Sequence, residues 1–328
     1  MTNELIDPFG RSIRYLRLSV TDRCDLRCQY CIPKGFKKFE HRESWLTFEE
    51  IERIIRAFSE LGVHRVRMTG GEPLLRKGLP ELAAGLAALP DLDDLSLSTN
   101  ATQLEKHAAA LKQAGVHRIN VSLDSLNADV FSSITQGGKL DKVLAGLQAA
   151  RNCDLAPIKI NMVVMRGIND HEVDSMLQYC MENEFTLRFI ETMPIGDTGR
   201  NAGRHFVSLD TIRIRLTKQF DMVPSTMPGG GPARYMQVGG TDMKIGFITP
   251  MSQHFCKSCN RVRLSVDGRL HLCLGQNDNV SLREPLRQGI SDKDLKELLL
   301  EAIAKKPERH EFRKNPLKIN RVMSLTGG

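Results

Sequence analysis

Between residues 15 and 191 short β-like runs alternate with helical ones, and no other feature limits the fold so strongly. YLRLSV (15–20), HRVRMT (64–69), LSLSTN (95–100), RINVSLD (118–124), IKINMVV (158–164) and LRFIET (187–192) read as strands. Thr47 and Glu50 form a capping-box pattern, and Phe48, Ile51, Ile54, Ile55, Phe58 and Leu61 then recur at helical spacing. Further helices are expected around 79–89, 103–114, 139–151 and 170–183. Strands separated by helices imply parallel β/α units. Six of them predict an α/β fold built on an incomplete (β/α)6 TIM-like barrel rather than the closed eight-stranded form.

The strands alternate in polarity, although parallel strands covered on both faces read as nearly continuous apolar runs. Leu16, Leu18 and Val20 oppose Arg17 and Ser19, and Val66 and Met68 oppose Arg65, Arg67 and Thr69. Ile119, Val121 and Leu123 oppose Asn120, Ser122 and Asp124, while Ile158, Ile160 and Met162 oppose Lys159 and Asn161. The helices need the apolar face, so the polar face lines the interior. A filled barrel carries Val, Ile and Leu there. Arg, Lys, Ser and Asn predict instead a wet lumen for a large, polar, anionic ligand.

Residues 196–205 (GDTGRNAGRH) are polar and glycine-rich, and predict a boundary between a barrel domain, 1–205, and a C-terminal α+β domain, 206–328. PGGGPARYMQVGG (228–240) reads as loop and turns, since no strand–GxGxxG–helix context surrounds it. A basic stretch follows from residue 305, and the chain ends on Gly327 and Gly328.

Six of the eight cysteines fall in two groups, Cys24/Cys28/Cys31 and Cys256/Cys259/Cys273. The N-terminus lacks a basic segment followed by an apolar run, and nowhere do eighteen apolar residues run together, which predicts a cytoplasmic protein without a membrane span. In that setting clustered cysteines read as metal ligands rather than disulfides. Cys153 and Cys180 stand apart and read as buried thiols. The net charge of +7 suits nucleic acid, a membrane surface, a polyphosphate metabolite, or no specific partner.

Three thiolates are one short of a closed tetrahedral site. A zinc reading of CxxxCxxC needs a fourth ligand from elsewhere, with His41 a candidate. A cubane iron–sulfur cluster takes three thiolates on three irons and leaves the fourth iron exchangeable. The loop follows the first strand, at the end where α/β barrels keep their chemistry, which favours the cluster.

CxxxCxφC, with Tyr30 before the last cysteine, resembles the signature of the radical S-adenosylmethionine superfamily. The resemblance implies a [4Fe–4S] cluster on Cys24, Cys28 and Cys31 whose open iron is chelated by the methionine moiety of S-adenosylmethionine. It implies further cofactor contacts from Tyr30, from Gly71 in MTGGEP (68–73), from Ser122 and from Met193.

FCKSCNRVRLSVDGRLHLC adds Cys256-x2-Cys259-x13-Cys273 joined to NRVR. With YLRLSVTDRC, TGGEP, VSLD, KIN, ETMP, GPARY and the terminal diglycine, essentially the whole chain resembles the GTP 3′,8-cyclase family of molybdenum cofactor biosynthesis. What this implies is a second [4Fe–4S] cluster on Cys256, Cys259 and Cys273 that binds the guanine of GTP. Arg17, Arg67, Thr99, Lys159, Arg261, Val262 and Arg263 would contact GTP, the cationic members chiefly through its triphosphate. The tail bearing Gly327 and Gly328 would reach into the active site and be needed for catalysis.

The family also implies a homodimer, an electron-donating protein such as flavodoxin or ferredoxin, and delivery of product to cyclic pyranopterin monophosphate synthase. No nucleic acid or membrane partner is expected. Ala101 stands where a glycine usually follows Thr-Asn, which predicts a different loop shape after the third strand; Thr326 replaces a usual aliphatic residue. The competing readings are a radical S-adenosylmethionine peptide maturase with an auxiliary cluster and a zinc-containing nucleic-acid-binding protein. The latter has few aromatic residues for base stacking, at 5% of the chain.

Overall fold

The computed structural model of the protein describes residues 4–195, 202–312, 319 and 321–327. Gly328 and much of the 196–205 segment lie outside them. Six strands come from residues 15–191: β1 (Tyr15–Ser19), β2 (Arg65–Thr69), β3 (Asp94–Thr99), β4 (Arg118–Ser122), β5 (Ile158–Val164) and β6 (Thr186–Glu191). They pair in sequence order, each parallel to the next.

The second half adds β7 (Val223–Ser225), β8 (Arg234–Gln237), β9 (Lys244–Ile248), β10 (Arg261–Leu264), β11 (Arg269–His271) and β12 (Asn279–Ser281). These enter the same sheet at its two edges. β9 lies parallel to β6 and β10 parallel to β1, so eight neighbouring strands run one way. Antiparallel hairpins then finish each edge, β10–β11–β12 on one side and β9–β8–β7 on the other. The Arg234–Gln237 strand occupies part of the glycine-rich stretch read from sequence as loop.

Helices α1 (Phe48–Glu60), α2 (Leu79–Ala87), α3 (Leu104–Gln113), α5 (Leu140–Asn152) and α6 (Val173–Glu182) fall in the expected intervals. At α1 the Thr47 hydroxyl accepts from Glu50 N at 3.2 Å and the Glu50 carboxylate accepts from Thr47 N at 2.8 Å. Two orphan amides at the helix start are thereby satisfied. Ile51, Ile54, Ile55 and Phe58 are buried in one continuous apolar core with Leu16, Leu18, Val66, Met68, Ile119 and Ile160 from the strands. An additional helix, α4 (Ala128–Thr135), starts where Asn127 Oδ1 accepts from Asp129 N and Val130 N. No helix among the described residues is long and apolar enough to cross a membrane.

The apolar half of each strand's alternation is spent on the helices, and the polar half meets inside. Arg263, Arg17, Arg67 and Ser96 stand side by side in register across β10, β1, β2 and β3. Arg17, Arg67, Asn161 and Arg188, from β1, β2, β5 and β6, all line one cavity, so the polar face is concave. Cys180 is buried as expected. Cys153, the residue that caps the end of α5, is half-buried instead, packed against the edge of the core.

Candidate active site

Two adjoining cavities occupy the concave face, of about 1070 and 1030 Å³ including their open mouths. Asn161, Ile190, Met193 and Met323 line both, so they form a continuous hollow. Cys24, Cys28, Cys31, Tyr30, Gly71, Thr99, Ser122 and Met193 line one cavity. Cys256, Cys259, Cys273, Arg17, Arg67, Arg261, Val262 and Arg263 line the other. The structure thus brings each cysteine group together with most of the residues read beside it from sequence. Two go elsewhere: Thr99 is on the side of the first cysteines, and Lys159 opens into a smaller recess with Arg67, Arg118, Arg188 and Tyr235.

The first cysteine loop is held by backbone packing at its start. Gly71 N donates to Thr21 O at 2.8 Å and Glu72 N to Arg23 O at 2.7 Å. A Cβ on Gly71 would sit 2.1 Å from Arg23 O, so only glycine allows this approach. Glu72 is buried and pushed up to about 7 by that burial, against hydrogen bonds from Asn100 N, Thr99 and Leu74 N. The Thr99 hydroxyl is therefore engaged, 2.7 Å from the Glu72 carboxylate. Tyr30 closes the far side, donating to Asp124 at the end of β4 at 2.6 Å.

Ala101 adopts φ of +64° with its amide donating to the Thr99 hydroxyl at 2.9 Å. The loop after β3 thus takes a left-handed φ of the kind glycine favours, at a strain of about 1 kcal/mol for alanine. His41 is exposed and lines neither cavity.

All three thiols of the first group are free, and burial pushes each upward, Cys31 to about 12. Glu72 and Asp124 add to the effect at Cys24 and Cys28. Thiolates here need a bound cation of high charge. Among the described residues no three His, Cys, Asp or Glu side chains are set to share one metal ion. A cubane does not require it, because each thiolate takes its own iron. The donor set fits such a cluster.

The second group lies in a cationic setting. At Cys259 burial raises the pKa, but Lys306 and Arg261 outweigh it and the net shift is downward. Lys306 is 3% exposed and donates to Arg261 O at 3.1 Å. Arg11 is buried too, reaching Cys256 O at 2.8 Å, Glu308 O at 2.6 Å and Pro307 O at 2.7 Å. Arg321 donates to Cys273 O at 3.1 Å and Leu274 O at 2.5 Å. Arg11 also pairs with the buried Asp7 carboxylate four residues away, at 2.5 Å. Sequence reading misses all three cations, because the backbone carbonyls they reach lie 34 to 297 residues away along the chain. It also passes over Arg188, because LRFIET breaks the alternation of the other strands: Ile190 lines the cavity on the same face as Arg188.

Arg17, Arg67, Lys159, Arg188, Arg261 and Arg263 form the cationic wall. Among the described residues none has a carboxylate within ion-pair distance. Burial, joined by neighbouring cations, pushes Lys159 down to about 7 and Arg188 to about 10, and burial with Arg17 and Arg118 pushes Arg67 to about 10. Burying uncompensated cations costs several kcal/mol each. The wall is built for a polyanion.

The C-terminal segment enters this hollow. Phe312, Ile319 and Met323 pack with Ile195, Met193 and Cys31 in a small apolar cluster. Gly327 has φ of +71°, and a Cβ there would lie 2.2 Å from Thr69 Cγ2. Its neighbour Thr326 is fully buried, with its carbonyl accepting from Arg263 at 3.2 Å.

Two family descriptions match the chain: Radical SAM superfamily over residues 18–180 and Molybdenum Cofactor Synthesis C over residues 185–312. A GTP 3′,8-cyclase of Hydrogenovibrio crunogenus is 49% identical over 98% of this chain and 99% of its own length. One of Ectopseudomonas mendocina is 46% identical over 100% of this chain and 99% of its own. Streptococcus suis SuiB, solved bound to S-adenosylmethionine, shares the fold with a TM-score of 0.61 at 13% identity, covering 92% of this chain and 77% of that one.

Proposed function

The chain belongs to the GTP 3′,8-cyclase family, and we propose that its two thiol-lined cavities divide that family's reaction between them. The protein is a radical S-adenosylmethionine enzyme that uses an iron–sulfur cluster to convert GTP to 3′,8-cyclo-7,8-dihydroguanosine 5′-triphosphate, the first step of molybdenum cofactor biosynthesis.

In this reading Cys24, Cys28 and Cys31 hold a [4Fe–4S] cluster, and Tyr30, Gly71, Ser122 and Met193 receive S-adenosylmethionine beside it. Cys256, Cys259 and Cys273 hold a second cluster that seats guanine, in a C-terminal unit closing the open side of a partial barrel. Held there, the first cluster and S-adenosylmethionine would supply a 5′-deoxyadenosyl radical to take the ribose 3′-hydrogen of GTP; C3′ would then bond to C8 of guanine, and one electron and one proton would complete the 7,8-dihydro product.

The chain's own residues position and shield. Arg17, Arg67, Arg261 and Arg263 bind the triphosphate, with directional guanidinium forks suited to phosphate oxygens. Lys159 adds charge from its recess, and Val262 lies against the substrate from β10. Thr99 acts through the Glu72 network on the side of the first cysteines. Met193, Met323 and Phe312 exclude water from the radical's path. Gly327 and Gly328 bring the chain end to the substrate without side chains to crowd it. An electron-donating protein, a homodimeric state, a cytoplasmic location and delivery of product to cyclic pyranopterin monophosphate synthase complete the proposal.

The observation that supports it most is that Arg67, Arg188 and Arg263 are buried, with no carboxylate in ion-pair distance among the described residues, in the cavity of the second cysteine group. Anaerobic incubation with S-adenosylmethionine, dithionite and each nucleoside triphosphate tests it. GTP, and not ATP, is expected to elicit 5′-deoxyadenosine and a product of unchanged mass but altered chromatographic mobility. Equal 5′-deoxyadenosine yields with ATP would overturn the substrate assignment.

A further inference from the structure

The turn Pro33–Arg42 lies directly outside the first cysteine loop. It leaves that loop two residues after Cys31 and returns to its start, where Glu40 N donates to Asp22 at 2.5 Å and Arg23 donates to Glu40 O at 3.0 Å. Both ends of the turn are therefore fixed to the segments that flank the thiols. Phe36 and Phe39 meet edge to face at 5.1 Å and stiffen it. The guanidiniums of Arg23 and Arg27 lie 4.6 and 5.7 Å from the Phe39 ring, and Arg27 donates onward to Cys24 O at 2.5 Å. A contact path thus runs from the surface to a cysteine backbone.

The outer face of the turn is basic. Lys34, Lys37, Lys38 and Arg42 are all exposed, and among the described residues none has a carboxylate within ion-pair distance. Residues 33–42 carry these four cations against the single carboxylate of Glu40. Four uncompensated charges on a short, anchored turn serve no packing purpose. They create a local field that draws an acidic surface to the segment anchored on the first cysteine loop.

We propose that this turn is the docking surface for an acidic one-electron carrier protein that reduces the first cluster. The inference rests on the reading of Cys24, Cys28 and Cys31 as cluster ligands. The carrier loses one electron and the cluster gains it; no proton or group moves. Electron-transfer encounters are small and transient, below about 1200 Å² of buried surface, which a turn of this size can provide.

The holoenzyme and a K34E/K37E/K38E variant, matched for iron content and circular dichroism, test the proposal with reduced flavodoxin as the probe and dithionite as the reductant that needs no docking. GTP-dependent 5′-deoxyadenosine driven by dithionite should be unchanged in the variant. Flavodoxin-driven kcat/KM and the rate of cluster bleaching should each fall by about tenfold or more, the scale of electrostatic steering. The wild-type rate should decline between about 50 and 300 mM salt as screening grows, and the variant's should not. Affinity for oxidised flavodoxin, measured by titration calorimetry, should drop in parallel, with K34Q/K37Q/K38Q intermediate. Equal flavodoxin-driven rates at low salt would overturn the inference, as would a variant that lost only binding to a duplex DNA probe. A wild-type protein that dithionite could not reduce would instead remove the underlying cluster reading.

Discussion

Arg263 holds the end of the chain: its Nη1 donates to the carbonyl oxygens of both Thr326 and Gly327, a contact buried on each side. The same guanidinium stands in register with Arg17 on the wall proposed for the triphosphate. In that proposal tail and substrate share one cation. Gly327 pairs φ of +71° with ψ of 142°, backbone territory that costs a residue bearing a side chain about 1–3 kcal/mol. Gly327→Ala should therefore unseat the tail and cut GTP cyclisation by tenfold or more, with both clusters intact by iron analysis. Deleting Gly327 and Gly328 should abolish cyclised product with the same iron content. Normal turnover by the truncated chain would exclude a role for the tail.

The two cysteine groups should separate by function. Cys24→Ala removes a thiol from the cavity that holds Gly71 and Ser122, and should leave about four of eight irons and no 5′-deoxyadenosine. Cys256→Ala touches the cavity of Arg261 and Arg263, and should keep the first cluster and slow S-adenosylmethionine cleavage while eliminating the cyclic product. Anaerobic iron and sulfide analysis beside product chromatography reads both. Full cyclisation by either variant contradicts the division.

What the sequence reveals, and what it hides, follows from the range of each interaction. Alternation along YLRLSV or IKINMVV is local, so which face carries Arg17 and Lys159 can be read directly. The cysteine spacings and the Thr47–Glu50 cap are local as well. Arg188 is harder to read, because Phe189 and Ile190 follow one another and blur which face of β6 turns inward. The placement of β9 and β10 at opposite edges is not local, since each strand is only four or five residues long and its partners lie far along the chain. The recess of Lys159 and the engagement of Thr99 by Glu72 likewise depend on which strands become neighbours. Ala101 shows the limit of a residue-type rule: tertiary packing imposes a left-handed φ on an alanine that local preference would avoid.

Arg321 provides a test of how the second cysteine loop is held. Its guanidinium spans Cys273 O, Leu274 O and Gln276 O at 3.1, 2.5 and 2.7 Å. A lysine ammonium cannot reach across that fork, so Arg321→Lys should forfeit one or two hydrogen bonds of about 1 kcal/mol each. The loop around Cys273 should loosen while Cys24, Cys28 and Cys31 remain undisturbed. Under an iron chelator the variant is expected to fall quickly to about four irons per chain, with S-adenosylmethionine cleavage retained. Loss of both sets of iron together would show that Arg321 supports the whole fold instead.

Lys159 gives the clearest dependence on pH. Burial, then the Arg188, Arg118 and Arg67 guanidiniums, pushes its pKa from 10.5 to about 7. Between those two values the unfolded chain holds a proton that the folded chain has released, so Lys159 makes the ligand-free protein more stable as pH rises through that window. Below about pH 7 both states are protonated and its full penalty applies. In the proposed complex the triphosphate would reverse the local field and favour the ammonium form, so binding above about pH 7 would draw a proton from solvent. Calorimetric titration of GTP at about pH 8.5, in buffers of different ionisation enthalpy, should report net uptake approaching one proton per site. Lys159→Gln should remove that uptake and weaken GTP binding, while the ligand-free variant gains stability near neutral pH. Unchanged proton uptake in the variant would assign the proton to another group and detach Lys159 from the triphosphate.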